Sequence, residues 1–158
     1  MTDPNLDPAT VDALMTIALD EARVAVTHGD VPIGAVVARL SDGEILARRH
    51  NERELLGDPT AHAEVLALRD AAAALGSWRL DGCVLVCTLE PCPMCAGACV
   101  GARVPLVAFG AADPKAGALG SLYHLGADPR LNHDIAVVHG VRADESAALL
   151  RDFFASHR

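Results

Sequence analysis

The chain reads as an α/β protein, a three-layer α/β/α sandwich around a mixed sheet of about five strands. Three observations lead there. A helix-period apolar stripe opens the sequence, a hairpin pattern follows it, and short β-branched runs then alternate with helical segments. No internal repeat, low-complexity tract or linker interrupts the 158 residues. Residues 1–158 therefore read as one domain, long enough to bury a substantial core.

Each element has its own signal. Asp7-Pro8 supplies an N-cap and a first-turn proline. Val11, Leu14, Ala18, Ala22, Ala25 and Val26 then recur on one helical face, and Gly29 stops it. VPIGAVVARL (31–40) and EILARRH (44–50) are strands joined by the turn SDG. Thr60 is the expected cap of a helix from about Ala61 to Leu75. CVLVCTL (83–89) is apolar on both faces, the mark of a central strand. A short helix after Pro93, a strand over VPLVAFG (104–110) and a brief helix near 119–126 come next. IAVVHG (135–140) is the expected last strand, and ADESAALLRDFFASH a closing helix capped by Asp144 or its neighbour.

Composition narrows the setting. With 51% hydrophobic and 22% charged residues, disorder is not expected. The longest apolar run, Ala96 to Ala111, is glycine-rich and broken by Arg103 and Pro105, so no membrane span is expected. The first twelve residues carry Asp3, Asp7 and Asp12 and no Lys or Arg, opposite to a targeting signal, so a cytoplasmic protein is expected. The net charge of −8 disfavours nucleic acid. It lies entirely in residues 1–100, with seven basic and fifteen acidic side chains; residues 101–158 carry six of each. A polyanion-binding surface would draw on that second part.

The five cysteines point to metal chemistry. Cys83 and Cys87 lie four apart on a strand, roughly 13 Å at about 3.3 Å per residue, too far to bridge. Cys92, Cys95 and Cys99 bunch in one segment, which does not resemble a disulfide framework. In DPTAHAE (58–64), His62 and Glu64 fall in a first helical turn, where side chains lean toward the helix start and both can reach a point beyond it. In TLEPCPMCAGA (88–98), Pro93 presets another helix start, with Cys92 at the cap and Cys95 three residues on. Two positive helix ends favour the thiolate form. His62, Cys92 and Cys95 suit zinc, one ion per subunit, with the fourth position open as in a catalytic site. Cys99, one turn beyond Cys95, reads as a buried packing thiol, as do Cys83 and Cys87. H-x-E at one helix start and P-C-x-x-C at another form the zinc-dependent nucleobase deaminase signature, in which the carboxylate (here Glu64) is proton shuttle and not ligand.

Beyond that shared signature, VPIGAVV, Asn51, DPTAHAEVLALR, TLEPCPMCAGA, FGAADPKAGALGS, LNH and ADESAALLRDFF resemble the bacterial tRNA-specific adenosine deaminases over roughly residues 30–158. The resemblance implies a cytidine deaminase-like fold and conversion of a wobble adenosine to inosine in the anticodon loop of an arginine tRNA. It also implies that Asn51 meets the purine edge, that Asp113 sits by the ribose, and that the protein is a homodimer. The small-residue helix AGACVGA is a face that could pack against a second copy. Arg142, Arg151, Phe153, Phe154 and Arg158 are candidates for phosphate and base contacts. Two alternatives remain: a free-base enzyme such as guanine deaminase, favoured by the acidity, and a noncatalytic zinc-stabilised RNA-binding module. The latter would want a fourth protein ligand and has no use for Glu64.

Overall fold

The computed structural model describes residues 4–157. Its elements are α1 (Pro8–Val26), β1 (Gly34–Arg39), β2 (Ile45–His50), α2 (Arg53–Leu56), α3 (Ala63–Leu75), β3 (Cys83–Leu89), α4 (Pro93–Ala102), β4 (Leu106–Ala111), β5 (Ala136–Val138) and α5 (Ala143–Ser156). The five strands form one sheet in the order β2-β1-β3-β4-β5. β1 pairs antiparallel with β2 and with β3, while β3, β4 and β5 run parallel, so the sheet is mixed as expected. Among the described residues no helix is long and apolar enough to cross a membrane.

The alternation of side chains along each strand divides the core in two. Val36, Ala38, Val84, Val86, Leu106 and Ala108 face Leu14, Met15, Ala18 and Leu19 of α1, with Leu149 of α5 packed against the same cluster. On the other face, Val37, Leu85, Cys87, Val107 and Phe109 meet Ala67, Leu68 and Ala71 of α3 and Ala96, Cys99 and Val100 of α4. β3 is buried at six of its seven positions, as a central strand requires. α1 sits so close to β1 that a Cβ on Gly34 would lie 1.9 Å from the Ala18 carbonyl oxygen. Only glycine admits that approach.

Several expectations give way. α3 begins at Ala63, and its N-cap is His62 in extended conformation, φ −71° and ψ 146°. Thr60 is not the cap: its N–H and hydroxyl both donate to Asp58 Oδ1, at 2.8 Å each, in a local turn over Pro59. α5 is entered through Arg142, held left-handed at φ 51°; Asp144 lies within its first turn. No helix forms over 119–126. That stretch is turns and one isolated bridge, Leu119 with His124, because Gly117, Gly120 and Gly126 punctuate it and its N–H groups find acceptors outside a helical ladder. β5 shrinks to three residues. The one-turn α2 had no periodicity by which to be found.

Candidate active site

Two helix starts meet at the C-terminal edge of the parallel strands. At α3, the extended His62 precedes Ala63 and Glu64; at α4, Cys92 is the N-cap, φ −73° and ψ 174°, with Pro93 next. The His62 side chain makes no capping bond to its own helix and turns toward the two sulfurs. The first N–H groups of both helices give the space between them a positive bias.

His62 Nδ1 lies 3.6 Å from Cys92 Sγ and 3.4 Å from Cys95 Sγ. The ligand atoms of these three residues all fall within 4.8 Å of one another, and they are the one group among the described residues that could hold a metal ion. Cys99 is not in it. It is fully buried between α4 and the sheet, like Cys83 and Cys87, and burial raises its pKa. The two thiols of this group hold their protons unequally. A hydrogen bond from Cys95, with help from His62, lowers the Cys92 thiol to about 4 against the opposing effect of burial. Cys95, on the donating side and buried, is shifted upward. The hydrogen bond with Cys92 is the largest influence raising His62. Glu64 is 4% exposed, and burial pushes its carboxyl above the ordinary range. Its Oε2 lies 3.4 Å from Cys95 Sγ, beside the group that could hold a metal and not one of its members.

His62, Glu64 and Cys92 line a cavity of about 170 Å³ together with Asn51 and Asp113, with Cys95 buried behind them. Asn51 is buried; its Nδ2 donates to the Val31 carbonyl at 3.3 Å and its Oδ1 accepts from Arg53 N–H at 3.1 Å. One amide hydrogen and one lone pair remain for a ligand. Asp113 closes an Asx-type turn, Oδ1 accepting from the N–H groups of Lys115 (3.0 Å) and Ala116 (3.2 Å). This turn brings Asp113 to the cavity wall.

Sequence reasoning missed the two other charged residues of the lining, Arg53 and Glu90. Arg53 is exposed at the start of α2, whose first turn is capped by the buried Asp30 through the N–H groups of Glu54 (2.7 Å) and Leu55 (3.1 Å). Glu90, one residue past β3, is 2% exposed; its one sequence signal was a carboxylate wedged between an apolar strand and a proline. The closing-helix candidates do not reach this cavity. Arg142 bonds Glu145 twice at 2.8 Å and Thr16 of α1. Phe153 is buried and its ring stacks on His157, while Arg151 and Phe154 are exposed. Arg158 lies outside the described residues.

A family model of MafB19-like deaminases matches residues 10–158. The chain is 50% identical to a tRNA-specific adenosine deaminase of Bacillus subtilis over 91% of its own length and 88% of that protein's. It superposes, at TM-score 0.83 and 44% identity, on a structure from work on A-to-I editing by tRNA:A34 deaminases at the wobble position, covering 87% of this chain and 99% of that one. A guanine deaminase of Nitrosomonas europaea shares the architecture at TM-score 0.77 but only 27% identity, over 98% of this chain and 97% of that one. With its two helix starts meeting over one cavity and with these relatives, the chain belongs to the MafB19-like deaminases and, among them, to the tRNA-specific adenosine deaminase family.

Proposed function

We propose that this protein hydrolyses the exocyclic amine of a wobble adenosine in a tRNA anticodon loop, giving inosine and ammonia. One observation carries the proposal: His62 and Cys92 of a His-Cys-Cys group, and a buried carboxylate beside it, share a base-sized cavity with Asn51 and Asp113. His62, Cys92 and Cys95 would hold one zinc ion per subunit. Around a tetrahedral zinc, with Zn–S about 2.3 Å and Zn–N about 2.0 Å, neighbouring sulfur and nitrogen atoms stand about 3.5 Å apart. The separations of 3.6 and 3.4 Å fit that edge. Zinc in such a site supplies an activated water near neutral pH.

Glu64 is the proton carrier. Its buried carboxyl would take a proton from the attacking water and pass it to the ring nitrogen beside the reacting carbon, then carry the proton of the newly bound hydroxyl to the amine, which leaves as ammonia. Asn51 would use its spare hydrogen and lone pair on the purine edge. Asp113, with Oδ2 uncommitted, would meet the ribose. The absence of Cys99 from the metal group supports an open fourth position, and with it the catalytic over the noncatalytic reading.

A cavity this small takes a base and little more, so the adenosine must leave its stack, a step made easier by a loop. The substrate places the protein with tRNA in the cytoplasm. Residues 1–158 act as one deaminase domain in this reading, and the chain works as a homodimer. The exposed line of Met94, Gly97 and Gly101 on α4 supports close packing of a second copy. Sedimentation showing only a 16.5 kDa species would remove the dimer. The function is tested by incubating the zinc-loaded protein with an arginine tRNA bearing the anticodon ACG and sequencing the product. Inosine at the wobble position supports it. Intact adenosine together with rapid deamination of free guanine would transfer the assignment to guanine deaminase.

A further inference from the structure

The segment between β4 and β5 has almost no regular secondary structure, yet it carries Asp113 to the cavity. Ala118 and Leu119 pack into the core, and one side chain gathers four of the hydrogen bonds that tie the segment to the sheet. Glu90 continues the β3–β4 ladder by one residue, its N–H donating to the Ala111 carbonyl at 2.9 Å. Its carboxylate turns inward and gathers four donors from the loop. Oε1 accepts from Asp113 N–H at 3.0 Å and from the Ser121 hydroxyl; Oε2 accepts from the N–H groups of Leu119 (3.1 Å) and Ser121 (3.0 Å). The loop closes around it so tightly that a Cβ on Gly117 would lie 2.3 Å from Glu90 Cδ. Beside it, Ala118 N–H donates to the Pro91 carbonyl at 2.8 Å. Glu90 thus does for this loop what a ladder of backbone bonds does for a strand. It sits two residues before Cys92 and lines the same cavity.

We propose that Glu90 is a positioning residue for deamination: it fixes the Asp113 turn to the strand end that presents Cys92, setting the distance between nucleoside contact and reaction centre. The kinetic half of this proposal rests on the function proposed above; the anchoring half does not. An apolar packing role would leave the four donors unexplained, since backbone N–H groups converging on one point select an acceptor. Glutamine is the informative replacement. It keeps the shape but presents an NH₂ group to donors that need an oxygen, so part of the network must open.

The test compares Glu90→Gln, Ser121→Ala and Gly117→Ala in the zinc-loaded protein. Glu90→Gln should retain wild-type zinc content and raise amide hydrogen exchange across residues 112–121 by about tenfold or more, the expected scale for lost bonds to a charged acceptor. With the anticodon substrate its KM should rise about tenfold, with kcat falling less. Ser121→Ala removes one donor from the loop side, carries little folding risk, and should shift exchange and KM the same way by a smaller factor. Gly117→Ala pushes the carboxylate out and should mimic Glu90→Gln, the double variant being no worse than the more severe single one, because both break one contact set. Unchanged exchange over 112–121 in Glu90→Gln or Ser121→Ala would overturn the proposal. So would a lowered melting temperature with KM intact, or loss of zinc, which would place Glu90 in service of the metal. Exchange is read without substrate; a wild-type protein inactive on tRNA would therefore sink the functional reading and leave the anchoring to the exchange data.

Discussion

The cavity has two kinds of wall. The proposed reaction side, His62, Glu64 and Cys92 with Cys95 behind them, is mounted on the first turns of two helices, and each pair comes from within four consecutive residues. The proposed recognition side, Asn51 and Asp113, sits on loops and is held by bonds from elsewhere in the chain: Val31, twenty residues from Asn51, and Glu90, twenty-three from Asp113. Helix starts fix side-chain directions through the backbone itself, whereas loops must borrow rigidity from acceptors elsewhere. Damage to the first wall should therefore remove chemistry, and damage to the second should cost affinity and local order. Four experiments can separate them.

The largest effect is expected from Cys95→Ala. It should abolish zinc retention and bring deamination to background, read by metal analysis and ammonia release; a variant that keeps one equivalent of zinc breaks the ligand assignment. Glu64→Gln should come next, with zinc intact and turnover lower by about 10²–10⁴, the usual worth of general acid–base work. Near wild-type turnover there would take the proton shuttle away from Glu64.

Asn51→Ala probes the second wall. It strands the Arg53 N–H, while the Val31 carbonyl keeps the Ile33 N–H, so the loss is about 1–3 kcal/mol in stability, measured by denaturant midpoint, alongside a raised KM. If stability falls and KM stays, Asn51 belongs to the scaffold alone. The smallest effect is expected from Cys99→Ala: full zinc content and a destabilisation of about 1 kcal/mol from a smaller buried side chain. Zinc loss would bring Cys99 into the reaction wall.

The same division governs how much was legible in the sequence. The candidate metal group was legible in two halves, because His62 with Glu64 and Cys92 with Cys95 each fall at a helix start; that the halves meet, thirty residues apart, came from the combined signature. The strands of the two-faced core were readable from unbroken β-branched runs. The start of α3 was misplaced at Thr60 because a threonine before an apolar run reads as a cap, yet Asp58 claims both of its donors. The helix expected over 119–126 fails for a related reason: the N–H groups of Leu119 and Ser121 bond to a carboxylate some thirty residues upstream. Asn51 and Asp113 reach the cavity, but only a family resemblance, not their spacing, had pointed to them. Long-range acceptors leave no periodic trace.

The burial of the cysteines gives the molecule a built-in gauge. Cys83, Cys87, Cys95 and Cys99 are buried, and Cys92 alone is partly open to solvent. An alkylating reagent added to the folded protein would find one accessible sulfur, at the site where the ion is expected. Coordination would mask that sulfur; loss of the ion would uncover it. Counting adducts per molecule by mass would then report the fraction of loaded subunits in a preparation, with no substrate and no change to the sequence.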